Sequence, residues 1–204
     1  MTTPRHITVR DATSSDIPTL TATLASAFAD DPLMGWLLGR TARPEERLVP
    51  LFRAMTTTAL HETGSELHVA ADGETVAIWK DVGCWKASPG HLARVMPGMV
   101  RSFRWRAALL LRGLATIERI HPDEPHRYLA CLGTHRGAQG KGHGGAVLAR
   151  MLERCDDEGV AVYAESSNPR NLAFYHRHGF VPLGDEIRPG NDAPPVFPIW
   201  RDPR

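Results

Sequence analysis

The chain has 204 residues, of which 42% are hydrophobic and 23% are charged, a balance typical of one soluble domain over residues 1–204 that buries its own core. Its formal net charge of +1 gives no general reason to expect nucleic acid as a partner. No apolar run reaches the roughly 18 residues of a membrane span, and the first residues lack a secretory signal. We therefore expect a cytoplasmic protein without a membrane partner, and the three cysteines, which share no metal spacing, favour a reducing compartment.

The first part of the chain predicts an edge strand, two helices and a hairpin. Residues 7–10 alternate apolar and polar side chains, and Thr13 with Asp16 resembles a capping box before a helix that ends at 30–32. A second helix is predicted from Pro44 to about residue 62. Residues 67–71 and 75–80, joined by Asp-Gly, predict a hairpin.

Residues 85–120 have a helical pattern that we expect to break at Pro89, at Pro97-Gly98 and at Gly113. The segment carries many basic side chains, which allows a surface for a membrane or an acidic partner. A solvated helix face balanced by acids elsewhere is the favoured alternative, because the whole chain is nearly neutral.

The central stretch predicts a strand at residues 128–132, four glycines at 140–145 and a helix from 146 onward. Glycines between a strand and a helix let backbone N–H groups approach an anion, and the helix N-terminus adds partial positive charge. This pattern predicts a phosphate cradle. A buried strand at 160–164 follows, then a short helix from Asn168-Pro169 to Gly179, and closing strands at 180–183 and 196–200.

Two nucleotide motifs fit the glycines poorly. A P-loop fails because His135 stands where its first glycine belongs and Gly142 follows Lys141. The Rossmann pattern G-x-G-x-x-G fits at 140–145, with Glu165 as the ribose acid, but the glycines lie too far from the strand and too little chain follows them.

Residues 139–144 resemble the Q/R-x-x-G-x-G/A motif of GNAT-superfamily N-acetyltransferases, and residues 168–180 are similar to that superfamily's second motif, N-x-x-x-x-x-x-Y-x-x-x-G-F. The amino-acid sequences of residues 27–32 and 165–172 most resemble the puromycin N-acetyltransferase-like branch of that superfamily. The resemblance implies an α/β fold with a mixed, splayed central sheet flanked by helices, and acetyl-coenzyme A as co-substrate.

The resemblance also implies which residues contact the coenzyme: the backbone of the central strand would pair with its pantetheine arm, the glycine loop would hold its pyrophosphate, and the second motif would lie beside it. These residues are Leu132, Gly133, Thr134, Gln139, Gly140, Lys141, Gly142, His143, Gly144, Gly145, Asn168, Asn171 and Tyr175. A backbone N–H near Leu132 is the expected oxyanion donor.

Tyr175 is the expected general acid, because the resemblance places it near the coenzyme sulfur. A phenol with a pKa of about 10 protonates a thiolate whose thiol pKa is about 8.5 only after local tuning, so a purely positional role stays open. A tyrosine on an apolar helix face is also a common core residue.

The base that deprotonates the amine has two candidates, His126 and Glu124, and ordered water is a third route. His126 and Tyr128 alternate into the central strand, so their side chains should point to one face. Glu165 is interpreted as a strand-end residue, or as one that supports the catalytic residues from behind, rather than as a catalyst. His121, Asp123, Glu124 and His126 suggest a metal site, but the two intervening prolines disfavour regular ligand geometry and we expect no metal.

Together these observations predict an enzyme that moves an acetyl group from acetyl-coenzyme A to an amine of a small molecule, such as an antibiotic or another natural product. Two alternatives stay open: a coenzyme A-binding protein without transferase activity, and a protein or peptide N-acetyltransferase. The sequence also leaves open a homodimer, the identity of the acceptor and the length of the acyl chain.

Overall fold

A computed structural model describes residues 7–204, and its centre is a seven-stranded sheet with the order β1-β2-β3-β4-β5-β7-β6. Every neighbouring pair is antiparallel except β4 and β5, which are parallel. The strands are β1 Val9–Asp11, β2 Ser65–Ala70, β3 Thr75–Lys80, β4 His126–Thr134, β5 Ala161–Ser166, β6 Val181–Pro182 and β7 Phe197–Arg201. The predicted mixed α/β fold is confirmed.

Helices cover both faces of the sheet and enclose two cores. Helices α1 to α5 pack on one face around residues such as Leu24, Phe52 and Ile78, and α6 and α7 pack on the other around Trp79 and Met151. The helices are α1 Ile17–Ala27, α2 Pro32–Leu38, α3 Pro44–His61, α4 Pro89–Phe103, α5 Ala107–Glu118, α6 His143–Glu158 and α7 Leu172–Arg177. No helix within residues 7–204 combines the length and the apolar character needed to cross a membrane.

Local signals in the first part of the chain give the structures they predicted. The backbone N–H of Thr13 donates to Asp16 Oδ2 at 2.7 Å, which closes the capping box before α1. β2 and β3 form the predicted antiparallel hairpin, and Asp72 in its turn has a φ of 54°. Cys131 and Cys155 are both buried, as expected of core residues.

The breaks predicted within residues 85–120 are wrong. Pro89 begins α4, and α4 continues through Pro97 and Gly98. Residue 98 is a glycine for a reason of packing: a Cβ there would lie 2.4 Å from the carbonyl oxygen of Pro50 on α3. This glycine therefore lets α3 and α4 pack closely instead of ending a helix. Gly113 similarly lies inside α5, against Pro189, and the chain turns instead at Arg104, whose φ is 56°.

Two other boundaries differ from the prediction. Helix α2 was not predicted: Asp31, interpreted as part of a helix end, is the N-cap of α2 and accepts from the backbone N–H of Met34 at 2.9 Å. Helix α6 begins at His143 rather than at residue 146, because the glycines of the loop continue directly into its first turn.

The sheet divides along β4. Residues His126 to Leu129 pair with β5, whereas pairing with β3 continues as far as Thr134. A bulge at Ala130 shifts the register against β3 at the same place, and a bulge bends and twists its strand. The second half of β4 thus leaves β5, which confirms the splayed sheet and opens a cleft between the two strands.

Candidate active site

The cleft is lined by backbone groups of β4 that have no strand partner on the β5 side. The N–H of His135 donates to the carbonyl oxygen of Glu74, next to β3, at 2.8 Å. Because backbone groups alternate along a strand, the N–H and C=O of Leu132 and Thr134 face away from β3 and into the cleft. The carbonyl oxygen of Thr134 accepts there from Gln139 Nε2 at 3.2 Å. The N–H and C=O of Leu132 and the N–H of Thr134 therefore face the side from which an amide-rich ligand could pair with them.

The glycine loop presents the N-terminus of α6 beside this cleft. Gly142 is the N-cap residue with a φ of 87°, no side chain caps the helix, and no acidic residue lies in its first turn. The first helical bond of α6 runs from the N–H of Ala146 to the carbonyl of Gly142, so the N–H groups of the preceding three residues remain available. Gln139 to Gly142 are exposed, and Lys141 adds a cationic side chain. This donor set fits the pyrophosphate of coenzyme A.

The other loop residues expected at the coenzyme are partly covered. His143, Gly144 and Gly145 are half-buried, and a Cβ at Gly144 would lie 3.5 Å from Thr134 Oγ1. A Cβ at Gly145 would lie 3.2 Å from His178 Nε2. These two glycines therefore let the first turn of α6 lie close to β4 and α7.

Helix α7 places Tyr175 at the closed side of the cleft. Asn168 Oδ1 accepts from the N–H of Arg170 at 3.1 Å and starts the short helical turn before α7. Asn171 is exposed and Tyr175 is buried. The Tyr175 ring packs edge-on against Phe180, with centroids 5.5 Å apart, so the phenol has a fixed position.

Burial and the nearby Cys131 raise the pKa of Tyr175 above its usual value of 10.0. The same burial, together with Asp31, raises the pKa of the Cys131 thiol to about 12. A thiol in this part of the cleft is therefore a much weaker acid than in water. Because burial raises the pKa of the phenol as well as that of a thiol, the mismatch between donor and acceptor remains.

His126 does not line the open part of the site. It is 3% exposed, its Nδ1 lies 2.6 Å from the carbonyl oxygen of Glu124, and its Nε2 lies 2.9 Å from His121 Nε2. A carbonyl only accepts, so Nδ1 of His126 carries a hydrogen. Burial lowers the pKa of His126, and the neutral ring then accepts from the Nε2–H of His121. The carboxylate of Glu124 is exposed and only its backbone contacts His126.

A second pair, Tyr128 and Glu165, joins this cluster to the cleft. The Tyr128 hydroxyl donates to Glu165 Oε2 at 2.7 Å, and Glu165 Oε1 lies 3.7 Å from His121 Nδ1. The Glu165 side chain is only 7% exposed. Burial and Glu165 raise the pKa of Tyr128 well above 10.0, so the phenol stays protonated. Trp85 stacks on His121 with a centroid distance of 3.7 Å and fixes that ring.

A cavity of about 330 Å³ meets the cluster from the other side. Tyr128 and Ala130 line it at the bulge where β4 leaves β5. Its walls come from α2, α3, α4, α5, β3 and the loop at Pro189, and they are mostly apolar. A second groove of about 680 Å³ lies between α3 and α4 and contains Arg53, Arg94 and Arg101, but it has no residue of β4. Of these two spaces, the first is the one that borders β4 where β4 leaves β5.

Residues 102–180 match the family model described as acetyltransferase (GNAT) family. A solved structure from Corynebacterium glutamicum, described as histone acetyltransferase HPA2 and related acetyltransferase, is 29% identical, with a TM-score of 0.71 over 97% of each chain. An uncharacterised N-acetyltransferase of Schizosaccharomyces pombe is 26% identical over 82% of this chain and 72% of its own. Over these residues and in its overall fold, the chain is similar to GNAT-family acetyltransferases.

The PaiA N-acetyltransferase of Thermoplasma acidophilum, solved in complex with coenzyme A, has the same fold, with a TM-score of 0.58 at 11% identity over 96% of this chain and 98% of its own. The matches to acetyltransferases support an N-acetyltransferase that takes its acetyl group from acetyl-coenzyme A. The glycine loop, free β4 edge and uncapped α6 of this chain fit that co-substrate.

Sequence reasoning did not assign a role to three residues of this cluster. Glu165 was interpreted as a strand-end residue, Tyr128 only as a neighbour of His126, and His121 only as a member of a metal-like cluster. The signal that points to them is spatial: β4 and β5 are parallel neighbours, and Tyr128 pairs with Tyr163 two residues before Glu165. That pairing cannot be read from the spacing along the chain.

Proposed function

We propose that this enzyme acetylates an amine of a small molecule by direct attack of the amine on the acetyl thioester. The observation that carries the proposal is the mostly apolar cavity between α2, α3, α4 and α5, whose lining includes Tyr128 and Ala130, where β4 leaves β5. An amine beside these two residues faces the cleft that fits the coenzyme. A protein or peptide acceptor needs an open groove that leads to the reacting end. The groove between α3 and α4 contains no residue of β4 and so does not supply one. The likeness of the chain to the puromycin N-acetyltransferase-like branch also supports a small acceptor.

Bound acetyl-coenzyme A supplies the thioester, and the chain supplies hydrogen bonds and protons. The N–H of Leu132 faces the cleft and donates to the thioester oxygen as it gains negative charge. Tyr175 gives its hydroxyl proton to the departing thiolate. Burial raises the pKa of this phenol as well as that of the Cys131 thiol, so the transfer depends on the hydroxyl lying beside the sulfur.

The amine loses its proton through Tyr128 to Glu165. As the Tyr128 oxygen accepts the amine proton, the Tyr128 hydroxyl proton moves to Glu165 Oε2, to which it is already hydrogen-bonded at 2.7 Å. Tyr128 is neutral before and after, in keeping with its raised pKa. His121 Nδ1, 3.7 Å from Glu165 Oε1, can take the proton onward, since its Nε2–H is donated to His126. His126 thus acts behind His121, and the base in contact with the amine is the Tyr128–Glu165 pair.

A screen of amines with acetyl-coenzyme A tests this function. Free thiol is followed spectroscopically and the products are identified by mass spectrometry. We expect equal amounts of thiol and N-acetylated small molecule. Bound coenzyme without turnover of any amine would instead indicate a binding protein, and turnover of peptide amines alone would indicate a protein acetyltransferase.

A further inference from the structure

We infer that the acceptor is a primary amine carried on an apolar alkyl or aryl body, and this inference rests on the proposed function. The cavity that borders β4 is lined by side chains of Leu, Met, Val, Ile and Trp from four helices. Members deep in its wall, such as Val95 and Met99, are 6% and 3% exposed. Transfer of apolar surface from water into such a space is favourable, so the body of the ligand contributes to its binding.

The charges in the lining are balanced inside the protein. Lys80 and His91 both line the cavity, and both contact Glu62: His91 Nδ1 lies 2.8 Å from Glu62 Oε2, and Lys80 Nζ forms an ion pair with the same oxygen. Lys80 Nζ also donates to Ser65 Oγ at 2.7 Å. Burial would raise the pKa of Glu62, but these two partners outweigh it and lower the pKa. Lys80 and His91, balanced by Glu62, therefore present little net charge to a ligand.

A polycationic acceptor would need acids along its length. Among the described lining residues the one carboxylate is Glu118, which is exposed on α5 at the edge of the cavity. A buried cation without a partner is costly, so a polyamine or the lysine side chain of a basic peptide is a poor fit. A single amine fits, because its one polar group lies at the Tyr128 end, where Glu165 accepts the proton.

The orientation of the ligand follows from the two ends of the cavity. Tyr128 and Ala130 mark the reacting end. The apolar body then extends between α4 and α5, whose Leu92 and Leu110 both line the cavity. A larger side chain at Leu110 would therefore reduce the room for the body.

The test compares n-butylamine, n-hexylamine and n-octylamine with spermidine and a lysine-containing tetrapeptide, all with acetyl-coenzyme A. We expect kcat/KM to rise about fourfold for each added methylene, the ratio that corresponds to about 0.8 kcal/mol, and therefore by about 10²-fold from butylamine to octylamine. Spermidine and the peptide should be at least tenfold poorer than octylamine.

Leu110→Trp and Ala108→Trp provide a matched pair of variants. Both add an indole to α5, but Leu110 lines the cavity, whereas Ala108 is exposed and does not. Leu110→Trp should lower kcat/KM for octylamine at least tenfold and leave butylamine nearly unchanged, while Ala108→Trp should keep the wild-type series. If Leu110→Trp fails to fold, Leu110→Ala gives the converse test, because the enlarged cavity should shift the preference toward decylamine.

The inference is overturned if kcat/KM does not depend on chain length, or if spermidine or the peptide is the better acceptor; acetyl transfer to amines would still stand. It is also overturned if Leu110→Trp and Ala108→Trp behave alike. If acetyl-coenzyme A raises the melting temperature but no amine releases thiol, the proposed function itself fails. The two failures are therefore distinguishable.

Discussion

Replacing Glu165 by Gln should separate catalysis from stability. The Glu165 side chain is 7% exposed, accepts the Tyr128 hydroxyl at 2.7 Å and faces His121 at 3.7 Å. Glutamine has the same shape and still accepts from Tyr128, but its amide takes up no proton. If Glu165 is the proton acceptor, kcat should fall by about 10²–10⁴-fold, or about 3–5 kcal/mol in activation free energy.

The stability of Glu165→Gln should change in the opposite direction or not at all. Glu165 Oε1 is buried without a hydrogen-bond partner among the described residues, and a buried carboxylate with an unsatisfied oxygen is unfavourable. A neutral amide relieves that cost. Thermal unfolding should therefore give an equal or higher Tm than wild type, whereas a residue of purely structural importance would lower it.

The assay is steady-state thiol release over a range of pH, with Glu153→Gln as the control. Glu153 is exposed on α6, so the control makes the same chemical change away from the site. Wild type and Glu153→Gln should lose kcat/KM as the pH falls through the lowered pKa of His126, because a protonated His126 no longer accepts a hydrogen bond from His121. A Glu165→Gln variant with wild-type kcat and the same acidic limb would refute the proton route.

Three further predictions concern the histidine cluster, the coenzyme loop and the helix packing. His126→Ala should lower kcat and shift the acidic limb of the pH–rate profile. Glu124→Gln should match wild type, because Glu124 contacts His126 only through its backbone carbonyl. The reverse pattern would give the role of base to Glu124. Acetyl-coenzyme A at a hundredfold excess over Kd should stabilise the wild-type protein by about 2.7 kcal/mol and raise its Tm, and Gly142→Glu should abolish that rise. Gly159→Glu, also at positive φ but at the far end of α6, should keep it. Equal rises in the two variants would contradict the loop assignment. Gly98→Ala should cost about 1–3 kcal/mol in unfolding free energy, because the added Cβ would lie 2.4 Å from the carbonyl oxygen of Pro50 on α3. Helix propensity alone predicts a gain in stability. Such a gain would contradict the close packing of α3 and α4.

The parts of this fold that follow from local chemistry were predictable from sequence. The capping box at Thr13 and the Asp-Gly hairpin each depend on a few neighbouring residues, and both form as expected. The glycine loop before α6 is equally local. The splay of β4 from β5, in contrast, was expected only from family resemblance, because the bulge at Ala130 has no distinctive local sequence.

The failed predictions concern contacts between distant segments. Gly98 and Gly113 were interpreted as helix breakers, but each provides room for a proline from another part of the chain, Pro50 and Pro189. The acceptor cavity is likewise assembled from α2, α3, α4 and α5, so no single motif encodes it. Glu165 gains its role only through Tyr128 on the neighbouring strand. Periodicity and spacing carry no information about such pairs.

The most direct test of the site as a whole is the leaving-group dependence of Tyr175→Phe. Tyr175 is buried beside Cys131 and its ring packs on Phe180, so phenylalanine keeps the packing and removes only the proton donor. With acetyl-coenzyme A, kcat should fall by about 10²–10⁴-fold with little change in Tm, and an acetyl donor with a more acidic thiol should recover part of the loss. A variant that turns over like wild type, or whose defect is equal with every leaving group, would contradict the account.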